Sequence, residues 1–213
     1  MYLCHTNQQY KTMKRILLVF TSLLLALCSV SATAQTKHYE KGVEVNGAFG
    51  LDKLQKYSFG IATVHSYRFG EHFALGGGVG YEYLNGLFFE SYCYKGSLYP
   101  SEHEYVYDIR SLLKLFGRAK FNLTKSSVSP FLAVDLGYTI SLRNVKNMAK
   151  GFFVQPAFGC DFKIGSNQKI FIMAGYNGQQ YSYDYFNLTL GESGVELQKA
   201  FAEKINVVIG FDF

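Results

Sequence analysis

From Gly151 to Gly165 the chain alternates at a period of two. Phe152, Val154, Pro156, Phe158, Cys160, Phe162 and Ile164 fall on one side, and Phe153, Gln155, Ala157, Gly159, Asp161 and Lys163 on the other. Alternation of this kind belongs to an extended strand, whose successive side chains point to opposite faces. The run is longer than the usual strand of a globular protein, about 5–6 residues. Its apolar row contains no polar member.

The pattern recurs along the chain. In Pro130–Leu142, the row Leu132, Val134, Leu136, Tyr138, Ile140 and Leu142 opposes Phe131, Ala133, Asp135, Gly137, Thr139 and Ser141. In Phe73–Leu84, Phe73, Leu75, Val79, Tyr81 and Tyr83 oppose Ala74, Gly76, Gly78, Gly80 and Glu82. In Ser111–Leu123, Leu113, Leu115, Ala119, Phe121 and Leu123 oppose Lys114, Phe116, Arg118, Lys120 and Asn122. Lys204–Phe213 carries Ile205, Val207, Ile209, Phe211 and Phe213 on one face. Gly42–Gly50, Tyr57–Arg68 and Lys169–Tyr183 alternate less cleanly. These are eight strands. No segment after the N-terminal region approaches the run of apolar residues that a membrane helix needs.

The N-terminal region reads as a targeting segment. Met13-Lys14-Arg15 is a short basic stretch, Ile16–Leu27 an apolar one, and Ala32-Thr33-Ala34 a small-residue cleavage site. These parts make a secretory signal peptide over 13–34, cut between Ala34 and Gln35. Residues 1–12 read as an over-extended start, and 35–213 as one domain. A lipidated start at Cys28 is disfavoured because Leu27 is not small. Removing residues 1–34 takes three basic residues, Lys11, Lys14 and Arg15, and leaves 18 Lys plus Arg against 16 Asp plus Glu. The remaining charges form no basic stripe, which excludes nucleic acid as a partner.

The joints between strands separate into short and long. Residues 69–72, 124–129 and 165–168 read as tight turns. Residues 85–104 and 184–203 read as long loops, and 143–150 as an intermediate one. Only 51–56 is short on the long side. Short turns at one end and long loops at the other describe an up-and-down membrane barrel, and closure leaves no unpaired backbone edge in lipid. The expected fold is therefore all-β, an antiparallel up-and-down transmembrane β-barrel of eight strands. Ten strands are left open by the length of 184–203.

The polar rows hold Glu44, Glu82, Lys114, Arg118, Lys120, Asp135, Asp161 and Lys163 among glycines and alanines. They suit a narrow interior in which charges neutralise one another. An eight-stranded barrel is just wide enough for side chains to fill, so a plugged polar lumen is expected. The network assigned to it is Arg118, Asp135, Lys114, Lys120, Glu82 and Asp161. Arg118 and Asp135 lie equidistant from the centre of the 124–129 turn, so symmetric pairing places them on one rung, facing inward. Phe158 and Leu136 are expected to face lipid, and Asp135 and Gln155 the lumen.

The chain resembles the small outer-membrane β-barrel proteins of Bacteroidetes, in the broad OmpA-barrel-like, porin-family group. The resemblance rests on the segment ending Ala32-Thr33-Ala34-Gln35, on glycine-interrupted strands such as Ala74–Tyr81 and Phe131–Tyr138, and on the terminal Val208-Ile209-Gly210-Phe211-Asp212-Phe213. It implies an outer-membrane location after export and recognition of Phe213 by the barrel-assembly machinery. It says little about activity.

Signals for chemistry are sparse. His38, His65, His72 and His103 show no metal-ligand spacing, and no cofactor is expected. His65-Ser66 cannot form a dyad, since adjacent strand residues face opposite ways. Gly76-Gly77-Gly78 lacks the Lys-Ser or Lys-Thr pair of a phosphate loop. Cys93 and Cys160 are not expected to form a disulfide. Tyr92, Tyr94, Tyr99, Tyr183 and Tyr185 read as an interfacial girdle or as contacts for an extracellular protein or glycan. The expected protein is a monomeric, non-enzymatic barrel with a structural, surface-interaction or narrow-pore role. The alternatives are a lipid-A- or phospholipid-modifying barrel enzyme and a soluble periplasmic barrel carrying an apolar ligand.

Overall fold

The computed structural model describes residues 37–93, 102–142, 151–165, 168–189 and 192–213. The expected signal peptide with its cleavage site at Ala34 and Gln35, and Tyr94 and Tyr99, lie outside the described residues. The strands are β1 (Lys37–Gly50), β2 (Gln55–Phe69), β3 (Phe73–Cys93), β4 (Glu102–Asn122), β5 (Val128–Ser141), β6 (Gly151–Lys163), β7 (Lys169–Thr189) and β8 (Glu192–Asp212). Each pairs antiparallel with the next, and β1 pairs with β8, closing an eight-stranded barrel. No helix occurs among the described residues.

Alternation builds the wall inside out. Val45, Ile61, Leu75, Val79, Leu136, Ile140, Phe158, Ile172 and Ile209 all face outward and are exposed, Phe158 at 57%. Glu44, Glu82, Lys114, Arg118, Asp135, Gln155, Asp161 and Lys204 face inward and are buried. At the end where β2 leads to β3, β4 to β5 and β6 to β7, outward aromatic rings are in contact: Tyr39 with Tyr67, Phe69 with Phe73, and Phe211 with Phe213. Aliphatic residues fill the band above them, as in a wall flanked by lipid.

The inward glycines are matched to inward rings. A Cβ at Gly78 would overlap the Phe116 ring, one at Gly137 would lie 2.7 Å from Phe153, one at Gly159 would overlap Phe131, and one at Gly210 would overlap Phe171. Each glycine leaves the space that a phenylalanine from a neighbouring strand fills. These four rings, with Met173 and Val208, belong to two apolar clusters inside the lumen.

The expected long loops are a correction. Residues 85–104 and 184–203 are largely strand, because β3, β4, β7 and β8 each run for 21 residues. Cys93 and His103 therefore sit on β3 and β4, paired with Glu102 and Tyr92, and not in a loop. Tyr92, Tyr183 and Tyr185 likewise lie on strands. The β3–β4 and β7–β8 hairpins project beyond the barrel, where β3 pairs in parallel with β7 from Phe89↔Asp184 to Cys93↔Leu188. The physical reason is edge satisfaction. β2 stops pairing at Gly86 and β6 at Gln179, so one edge of β3 and one of β7 lose their partners there. Backbone groups left on an open edge take a new one. Beyond the apolar wall no face needs a continuous apolar row, so Glu102–Arg110 carries no clean alternation. The number of strands is eight; the two extra ones left open are not present among the described residues.

Candidate functional site

The lumen is the concentration of charge in this fold, and alternation alone aims most of it inward. Its centre is Arg118 on β4. Arg118 Nε donates to Asp135 Oδ1 at 2.7 Å and Nη2 to Asp135 Oδ2 at 2.7 Å. The two residues are register partners on β4 and β5. The remaining donors reach across the barrel to β1, Nη1 to Glu44 Oε2 at 2.6 Å and Nη2 to Glu44 Oε1 at 3.2 Å. A guanidinium presents its donors in a fixed planar fork, which suits two carboxylates at once. The Phe116 ring lies 5.3 Å from the guanidinium carbon.

Above this node Lys204 donates to Glu82, and Lys114 Nζ lies 3.0 Å from Glu82 Oε2 as an ion pair without hydrogen-bond alignment. Below it, towards the turns, Lys120 donates to Asp161 Oδ1 at 2.6 Å, with Asp212 at 3.9 Å. The Lys120 ammonium also sits over the Phe131 ring at 4.1 Å. Glu40 accepts from Arg68 and from Lys169, each at 2.7 Å. Asn122 joins the two pairs, accepting from Arg68 at 3.0 Å and donating to Asp161 at 2.8 Å.

The charges of these layers cancel by group, while Arg110, buried nearer the hairpins, stands apart from them with Asp108 at 3.8 Å. Arg118, Lys114 and Lys204 face Asp135, Glu44 and Glu82; Lys120, Arg68 and Lys169 face Asp161, Glu40 and Asp212. Cancellation matters because an unpaired buried charge costs several kcal/mol. Beside the charged groups, on the β5 to β8 side of the lumen, lies a neutral polar set, in which Asn177 is the register partner of Lys204 and Gln155 that of Asp135. Asn177 and Asn206 both donate to Gln155 Oε1 at 2.9 Å, and Gln179 donates to Thr139 at 2.9 Å.

Apolar side chains pack together in the lumen below the hairpins. Leu54, Leu84, Leu87, Leu112, Tyr181 and Ala202 form one cluster, none more than 5% exposed. Leu54 comes from the short 51–54 turn, which bends over the opening. Asp52 fixes that bend by accepting from Leu54 N at 2.8 Å, Gln55 N at 3.3 Å and Glu203 N at 2.8 Å. Leu87 N donates to Leu54 O, and Tyr181 donates to Leu87 O, both at 2.8 Å.

All six lumen residues named from the sequence, Arg118, Asp135, Lys114, Lys120, Glu82 and Asp161, are buried and face inward. They form three separate pairs, Arg118 with Asp135, Lys114 with Glu82 and Lys120 with Asp161, and Arg118, Glu82, Lys120 and Asp161 also meet groups outside the set. Glu44, Lys204, Glu40, Arg68, Lys169 and Asn122 were not in it. Carrying the alternation back from Glu44 to Glu40, and to the first residues Lys169 and Lys204, would have found most of them. The apolar cluster under the hairpins carried no sequence signal, because its members come from five separate segments.

Among the described side chains, neither His65 nor His72 is paired with a serine. Tyr39 and His65 share a hydrogen bond of 2.5 Å on the outer face, and His72 bonds the Asn122 carbonyl at 2.7 Å. Among the described residues no group of three or more His, Cys, Asp or Glu is placed to hold a metal. Cys160 is a free thiol.

An apolar outer wall around a small charge-paired interior of eight strands is the architecture of the small outer-membrane barrels. Among solved structures the chain is similar to Neisserial surface protein A, at 13% identity and a TM-score of 0.51, over 84% of this chain and 98% of that one. It is also similar to the outer membrane protein AlkL, solved by solid-state NMR in DMPC lipid bilayers, at 8% identity and a TM-score of 0.50, over 85% of this chain and 92% of that one. At these identities the likeness is one of fold. No family model and no curated protein matches the sequence.

Proposed function

We propose that this chain is an integral outer-membrane barrel, exported with removal of residues 13–34, whose filled lumen braces the wall and whose projecting hairpins meet partners outside the cell. The observation that carries the reading is the mutual pairing of the buried charges beneath an apolar cluster, inside a wall whose outer face is apolar. A solute pathway needs free polar surface and an open mouth; the paired charges and the apolar cluster around Leu54 and Leu112 support a filled lumen instead. An apolar wall needs lipid, since an exposed apolar surface this continuous is not stable in water. The short turns then face the periplasm, and the hairpins face outward.

In this reading the protein is a monomer with no catalytic role, and the assembly machinery receives it through Phe213. The partner of the hairpins is an extracellular protein or glycan, met by tyrosines such as Tyr92, Tyr94, Tyr99, Tyr183 and Tyr185. Planar-bilayer recording tests the filled lumen: the expected result is no steady ionic conductance, and stepwise open channels overturn it. Extraction tests the placement: recovery in the soluble fraction without detergent points to the soluble carrier instead. An altered lipid A mass spectrum on deletion overturns the non-enzymatic role.

A further inference from the structure

The pairing of β3 with β7 leaves the projecting sheet in the order β4, β3, β7, β8, with β4 and β8 at its edges. On β8 the barrel partner stops early. β1 pairs with β8 only as far as Gly50↔Lys204, and one further bond runs from Leu51 N to Glu203 O at 2.8 Å. The Glu203 amide, on the same side, donates to Asp52 Oδ2 at 2.8 Å. In an antiparallel strand the N–H and C=O of one residue point to one side, and those of the next residue to the other. Glu203 faces β1, so Phe201, Lys199, Leu197 and Val195 face that side too, past the point where β1 ends. Among the described residues no backbone group pairs with them there.

Of the devices that blunt an open edge, this stretch of β8 has a single lysine, Lys199, and neither proline nor bulge. Its register with β7 runs from Lys169↔Asp212 to Thr189↔Glu192 without a shift, and Glu192–Asp212 contains no proline. The β4 edge differs. Leu142 N donates to Ser111 O at 2.9 Å, so Ile109 is the next residue turned that way, and its amide already donates to Asp108 Oδ1 at 2.7 Å. Side chains give the β8 edge a preference. Leu197 is 49% exposed and Lys199 is exposed, two residues apart on one face, while the Phe201 ring leans away over Gly178 on β7. A second copy in the same membrane does not fit this edge. Its β8 runs in the same direction, whereas two identical edges related by a two-fold axis pair antiparallel.

We propose that the β8 edge from Val195 to Phe201 takes an extended segment of another polypeptide as an added strand, with an apolar residue opposite Leu197 and an acidic one opposite Lys199. The inference rests on the outward placement of the hairpins above. Main-chain bonds to Val195, Leu197, Lys199 and Phe201 hold the segment, and the Lys199 ammonium selects the acid across from it. The added strand takes the side that β1 would occupy if it ran on. It ends at the 51–54 turn, where Asp52 already fills the Glu203 amide, and the barrel keeps its pairing.

Hydrogen exchange followed by NMR on the barrel in nanodiscs tests the edge. The probe is a short synthetic peptide of alternating Thr and Val with one central Glu. The expected result is slowed exchange at the amides of Leu197, Lys199 and Phe201 and no change at Gln198 and Ala200, which face β7. Leu197→Pro should weaken binding about tenfold or more with the hairpin kept, because it removes only an edge N–H. Lys199→Glu should turn the preference to the same peptide carrying Lys in place of Glu. No protection at millimolar peptide, or binding unchanged by Leu197→Pro, overturns the added strand. A preference unchanged by Lys199→Glu overturns the acidic partner. Protection without peptide that rises with the number of barrels per nanodisc overturns the proposal in favour of pairing between copies. The outward placement is read separately, with Lys199→Cys in a chain whose Cys93 and Cys160 are changed to Ser. Labelling by a membrane-impermeant maleimide on intact cells supports it, and labelling only after lysis overturns it whether or not the peptide binds.

Discussion

Arg118 and Asp135 face each other on one rung of β4 and β5, joined by two parallel hydrogen bonds of 2.7 Å, and Glu44 holds the other side of the same guanidinium. The bridge is therefore a triad that ties β1 to β4 and β5 across the lumen. Removing one partner of a buried pair costs about 3–5 kcal/mol. Asp135→Asn should destabilise the barrel by about that amount in urea titrations in lipid. Exchanging the charges, Arg118→Asp with Asp135→Arg, should recover little, because the new aspartate meets Glu44. Adding Glu44→Gln to the exchange should recover most of the loss. Full recovery by the double exchange alone would mean that Glu44 does not share the guanidinium.

Phe158 stands at 57% exposure in the outer wall, opposite Leu132 on β5 and Ala174 on β7. Replacing it by Arg should cost about 2–4 kcal/mol if it lies near the bilayer midplane. Folding into vesicles of defined thickness measures this. A negligible change would place the residue away from lipid.

Gly78 makes room for Phe116, and its own Cβ would overlap that ring. Gly78→Ala should therefore destabilise by about 1–3 kcal/mol through overpacking. Combining it with Phe116→Leu should cost less than the two separate losses, since the smaller side chain vacates the space. Additive losses in a double-mutant cycle would show that the two positions do not share a volume.

Asp52 gathers the amides of Leu54, Gln55 and Glu203 and so holds the 51–54 turn over the lumen. Asp52→Ala should speed hydrogen exchange at those three amides by roughly tenfold, the loss of about 1.4 kcal/mol of local protection. The ladder between β5 and β6 should keep its protection. Unchanged exchange at Leu54 would show that packing of its side chain alone holds the turn.

The sequence by itself determined the wall. Alternation at a period of two is a local property, so it assigns each residue of Gly151–Lys163 or Pro130–Ser141 to a face without knowledge of any neighbour. A short turn carries that knowledge one strand further, which is why Arg118 and Asp135 could be set opposite each other. Only the tertiary structure decided what lies beyond one turn. Glu44 reaches Arg118 because the sheet closes and its stagger brings β1 across from β4, a relation with no counterpart in chain separation. Lys204 with Glu82, and Lys169 with Glu40, arise in the same way. The parallel pairing of β3 with β7 was beyond sequence reading for a related reason. It is driven by backbone edges that lose their partners where β2 and β6 stop, and backbone groups are the same whatever the side chains.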